Sequence, residues 1–178
     1  MKIALILLLV SWLTQNEVDY AHKSLIREIQ SFYNADVSNL HRMEIPGAVP
    51  ESPGRFFMVK GQKVMGYVYV GRVNSCRTGG CSHGQGPAEG AFEYFDYFIL
   101  FDEGGVVRQV RVFNYQATHG HGITSRGWLK QFSGYDGSKN LEPGKDIDAI
   151  SGATISVRSI ANEVETRTRE LKLSLASR

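Results

Sequence analysis

The chain has 178 residues, 42% hydrophobic and 21% charged, a globular balance that excludes general disorder. Lys and Arg number 20 against 18 Asp and Glu, giving a net charge of +2, so nothing electrostatic argues for nucleic-acid binding. This length buries one substantial core without a metal or a disulfide framework, and the two cysteines can form at most one pair.

At the N-terminus, Lys2 precedes an apolar run from Ile3 to Leu13. The run is short for a membrane span, which needs about 20 residues, and suits the hydrophobic region of an export signal. It is apolar on every side, whereas a helix packed on one face alternates. Neither an Ala-x-Ala site nor a lipobox cysteine follows. Residues 1–17 are therefore expected as a signal peptide or a retained membrane anchor. The body is expected outside the cytoplasm, in the periplasm or on the outer face of the cytoplasmic membrane, where a disulfide can persist.

Residues 18–45 read as a helix and a linker, and 46–178 as the main domain. The helix is predicted over Val18 to Tyr33, with Leu25, Ile29 and Phe32 on one face. Pro46, Pro50 and Pro53 then break the chain. Strands are predicted at Phe56–Lys60, Lys63–Val73, Ala91–Phe101 and Val106–Tyr115, the last two joined by the turn Asp102–Gly105 as a hairpin. On the last strand, Val106, Arg108, Val110, Val112 and Asn114 are expected on one face. Asn74 to Gly90, rich in glycine and holding Cys76 and Cys81, reads as loop. A final helix is expected over Ile155–Ala176, its stripe formed by Val157, Ile160, Ala161, Val164, Leu171 and Leu175, with Thr168 interrupting it. The fold class is α+β: a single antiparallel-rich sheet with an N-terminal helix and a C-terminal amphipathic helix packed on it.

Before the final helix stands Asp148-Ala149-Ile150-Ser151-Gly152-Ala153-Thr154. Two physical readings fit this segment. Asp, Ser and Thr all cap helices. Equally, a helix N-terminus with small residues Gly152 and Ala153 and the hydroxyls of Ser151 and Thr154 makes a seat for a phosphate. The pattern Asp-x-x-Ser-Gly-Ala-Thr resembles the flavinylation motif of the FMN-binding domain family, which includes the C subunit of the sodium-translocating NADH:quinone reductase and the G subunit of the Rnf electron-transfer complex. The resemblance implies FMN joined through a phosphoester to the final threonine, here Thr154, by a flavin transferase that uses FAD. It further implies that Asp148 helps the transferase or its metal ion recognise the site, and that the flavoprotein works outside the cytoplasm with membrane-associated redox partner proteins.

A second segment, Ala117-Thr118-His119-Gly120-His121-Gly122, resembles the family's glycine-rich loop, commonly Glu-Thr-Pro-Gly-x-Gly; Thr118, Gly120 and Gly122 match, while Ala117 and His119 depart. The resemblance places Thr118, His119, Gly120, His121 and Gly122 at the flavin ring, with Trp128 and Phe132 following in a family-like run. Read as a metal site, His119 and His121 lack a third ligand unless His83 or a cysteine is brought near, so no metal site is assigned. Cys76 and Cys81 do not form Cys-x-x-Cys-His or Cys-x-x-Cys; a local disulfide, two thiols, or a pair exchanging electrons with flavin remain as readings. No hydrolytic triad or carboxylate dyad stands out, so no catalytic residue is assigned and an electron carrier is expected over a substrate-turnover enzyme. The alternatives are a small flavin-dependent reductase with His119 or His121 as proton donor, and a binding module without flavin.

Overall fold

The computed structural model describes residues 17–45, 53–77 and 92–177. The apolar run 3–13, Pro46, Pro50, Cys81 and His83 lie outside them, and with Cys81 so does the expected cysteine pair. Among the described residues no helix is long and apolar enough to cross a membrane.

The strand Phe92–Phe101 shows how the core is built. Phe95, Tyr97, Ile99 and Phe101 point into one buried cluster and Phe98 and Leu100 into another. A strand apolar on both sides must be covered on both faces. The two covers are helices from opposite ends of the chain: α1 (Lys23–Tyr33) and α3 (Thr154–Ala176). Leu25, Ile29 and Tyr33 of α1 close one cluster, while Val157, Ile160, Ala161, Val164 and Leu171 of α3 close the other. Each fully buried Phe or Ile contributes about 1.5–3 kcal/mol.

Between the helices lies one five-stranded antiparallel sheet in sequential order: β1 (Leu40–Met43), β2 (Arg55–Lys60), β3 (Val64–Arg77), β4 (Phe92–Phe101) and β5 (Val107–Tyr115). This is the expected α+β class. The short helix α2 (Arg126–Leu129), flanked by 3₁₀ turns at His121–Thr124 and Lys130–Phe132, follows β5.

The details depart from the sequence reading in four places. Helix α1 begins at Lys23 rather than Val18, because the imidazole of His22 accepts from the Ser24 amide and caps it. Its buried face is Leu25, Ile29 and Tyr33, while Phe32 is 41% exposed. Tyr33 takes the inner place because its hydroxyl reaches the carbonyls of Tyr67 and Phe101, at 2.9 and 2.6 Å. The predicted linker contains strand β1, which pairs with β2, and β3 continues to Arg77, past the predicted end at Val73.

The fourth departure positions the site. Strand β5 carries an irregularity at each end of its pairing with β4. At the far end Asn114 is the extra residue, with φ at +47°. Phe113 therefore packs with α1's cluster and Tyr115 with α3's, although ordinary alternation would put them on one side. Of the five residues expected on one face, Val110 and Val112 share it; Arg108 and Asn114 are exposed.

Candidate functional site

The 23-residue helix α3 starts at Thr154 behind Ala153, and no side chain caps it. Ala153, with no hydroxyl or carboxyl, occupies the N-cap position, so the capping reading of Asp148, Ser151 and Thr154 is not what the fold uses. The first hydrogen bond into the helix runs from the Val157 amide to the Ala153 carbonyl, at 2.9 Å. The amides of Thr154, Ile155 and Ser156 precede it and form the positive end of a long helix dipole. Thr154, Ser151 and Gly152 are exposed and Ala153 is buried. Gly152 has φ at +74°, and a Cβ there would meet nothing within 4 Å. The turn thus needs glycine for its backbone and leaves open space beside it.

Asp148 stands apart from the helix, held through its backbone. Its carbonyl accepts from the Trp128 indole N–H at 2.9 Å, and its amide donates to Gln131 Oε1 at 2.9 Å. The Trp128 ring packs edge-on against Phe132, 5.5 Å between centroids. The segment 128–132 is therefore the clamp that fixes the start of the Asp148–Thr154 turn, and the Asp148 side chain stays exposed.

The glycine loop meets the same helix end. Gly120 has φ at +88°, and a Cβ there would lie 2.6 Å from Ser156 Oγ and 2.8 Å from the Tyr115 hydroxyl. A Cβ on Gly122 would lie 2.9 Å from the Ile150 side chain. The close approach these glycines serve is thus to α3 and its preceding turn. A chain of hydroxyls locks the contact. The Tyr115 hydroxyl donates its one proton to the His119 carbonyl. Ser156 must then donate to Tyr115 at 3.2 Å and accept from Ser75 of β3 at 2.9 Å. Burial pushes the Tyr115 phenol up; the Ser156 hydrogen bond opposes the shift and the Glu93 charge adds to it.

Thr118 is tied down by Glu93 of β4, whose carboxylate accepts from the Thr118 hydroxyl and, at 3.0 Å, from its amide. Those two hydrogen bonds hold the Glu93 carboxyl below its ordinary range. His121 lies over the Tyr115 ring at 4.5 Å between centroids, and Tyr115 stacks on buried Phe95 at 5.6 Å. His119 and His121 are both exposed.

The two segments singled out from the sequence therefore converge on one helix end. Residues 95–167 match the FMN-binding domain family. FMN is the cofactor this match indicates, and the matched stretch runs from within β4 to within α3. No curated protein and no solved structure matches the chain. The residues present suit this cofactor: an uncapped helix terminus supplies amides for a phosphate, an exposed Thr154 hydroxyl stands at that terminus, and an exposed imidazole on an aromatic stack lies on the adjoining loop. Among the described residues, no cluster of three metal-ligating side chains is present.

Sequence reading missed Glu93, Ser75, Tyr115 and Ser156. Glu93 had a signal: an acid within the aromatic run Ala91–Phe101 needs a partner when buried. Ser75 and Ser156 had none, since nothing in their spacing brings β3 to α3.

Proposed function

We propose that this chain is an extracytoplasmic electron-transfer flavoprotein carrying FMN through a phosphoester at Thr154. The observation that carries the reading is the exposed Thr154 as first residue of a long helix that no side chain caps. The free amides and the helix dipole would hold the singly charged phosphodiester, Ser151 would add a hydroxyl donor, and Gly152 leaves the approach open. Bound FMN supplies one- and two-electron redox chemistry. The protein's own part is to fix the turn through Trp128 and Gln131, to hold the loop Thr118–Gly122 through Glu93 and Ser156, and to offer His121 as a ring surface. The apolar run 3–13 supports export, and a covalent tether suits a compartment without a free flavin pool.

The test is co-expression with a flavin transferase, followed by in-gel flavin fluorescence and peptide mass spectrometry. The parent is expected to gain one FMN on the peptide containing Thr154. Thr154→Val keeps the β-branch and removes the nucleophile, and should carry no covalent flavin while folding normally. Thr154→Ser should keep part of the labelling. A parent without the mass increment, or a fluorescent Thr154→Val variant, rules the assignment out.

A further inference from the structure

On the far side of the segment that clamps Asp148 lies a second feature. Strand β5 and α2 enclose a concavity of about 440 Å³ whose wall carries Arg108, Arg111, Arg126 and Lys130, with Gln109 and Ser133 between them and no acid among the described lining residues. Two carboxylates face these four cations from outside the lining. Glu28 of α1 is 3.2 Å from Arg111 and 4.0 Å from Arg126, and Asp102 is 3.9 Å from Arg108. The concavity therefore keeps an excess of two positive charges, in a chain whose total is +2. Arg126 is 72% and Arg108 49% exposed at the rim, while Arg111 is 20% exposed at the floor. Gln109 adds a buried amide nitrogen to the lining.

We propose that this concavity is the docking surface for an acidic redox partner protein. The inference rests on the electron-transfer reading above and adds the partner's chemistry and the place where it binds. Rim cations on long side chains attract carboxylates at a distance and orient an encounter. A hollow with a charged floor admits protruding acidic side chains, whereas a flat lipid surface reaches only the rim. The wall is also the outer side of the flavin clamp. Arg126 and Lys130 occupy one side of the stretch 126–131, and Trp128 and Gln131 bind Asp148 from the same stretch. A partner seated on Arg126 and Lys130 would be separated from the proposed FMN turn only by the short stretch 126–131.

The test titrates the FMN-loaded full chain with an acetylated hexaglutamate peptide, followed by amide chemical shifts. Binding is expected to move the amides of residues 108–111 and 126–133 and to weaken about tenfold when salt rises from low to physiological or above. The pair Arg126→Glu with Lys130→Glu should weaken it at least about tenfold. Arg126→Gln with Lys130→Gln, a milder pair at exposed positions, should weaken it in the same direction with an unchanged melting temperature. Flavin-free Thr154→Val should bind the peptide as the parent does, so a failed attachment at Thr154 and a failed docking surface give different results. No peptide binding, equal binding by both paired variants, displacement of the peptide by inorganic phosphate at matched charge, or stronger charge-dependent binding to anionic phospholipid vesicles than to the peptide would each overturn the proposal.

Discussion

Two acids interrupt the aromatic strand β4, and each is buried for a different purpose. Asp96 is fully buried and takes two hydrogen bonds from Arg72, at 2.7 and 3.1 Å, and one from Asn114 at 2.7 Å. It joins β3, β4 and the bulge of β5 that turns Tyr115 toward α3. Asp96→Ala breaks this buried ion pair and removes the acceptor of all three bonds, and should cost about 3–5 kcal/mol in urea unfolding. Glu93, by contrast, restrains a loop. Its folded-state carboxyl is held low by the Thr118 hydrogen bonds, so the tie is complete above the ordinary carboxylate range and is lost as pH falls through the lowered folded value. The Thr118 amide resonance should therefore titrate below the normal glutamate range. In Glu93→Gln that titration should vanish, and amide exchange over residues 118–122 should speed up while the sheet amides stay protected.

At the scale of elements, the site depends on how β5 ends and α3 begins. Gly120→Ala tests that joint, since its Cβ would enter the space of Ser156 Oγ and the Tyr115 hydroxyl at a positive φ. Overpacking and the left-handed backbone together should cost about 2–4 kcal/mol. The same variant should disturb the amide shifts of Ser156 and His121, measured against the parent in the flavin-free state. The sequence made the elements legible where periodicity is strong. Strand β4 and helix α3 begin within one residue of expectation, because each repeats a buried pattern over at least ten residues. Thr168, expected to interrupt the α3 stripe, is fully buried within it, since its hydroxyl donates to the Val164 carbonyl at 2.6 Å and exposes only its methyl to the core. Strand β1 escaped notice because four residues with one buried side chain carry no period. The facing of β5 was misread because bulges shift alternation without leaving a mark in composition. The two site segments were recognisable by motif, but their meeting at Ser156 depends on tertiary contact between β3, β5 and α3.

Across the whole molecule, the sheet separates two tasks. The side covered by α3 holds the residues of the proposed flavin turn and its loop, and includes the hydroxyl chain and the aromatic stack. The side covered by α1 is a second apolar core, pinned at its rim by Glu28 to Arg111. This division predicts that damage on the α1 side lowers stability without changing the flavin attachment proposed at Thr154. Ile29 is fully buried between Leu25 and Tyr33 on that helix. Ile29→Ala removes three carbons from a packed site and should cost about 2–5 kcal/mol. In a chain of this size that lowers the melting temperature by roughly 4–20 °C. Below that lowered transition, the folded fraction of the variant should take FMN at Thr154 to the same stoichiometry as the parent, because Ala153 and Val157 at α3's N-terminus belong to the other cluster. Measured by mass per folded molecule, a substantial loss of flavin would mean that the two faces are coupled through the sheet, most directly through Asn114, whose side chain bonds Asp96 while its neighbour Tyr115 supports the glycine loop.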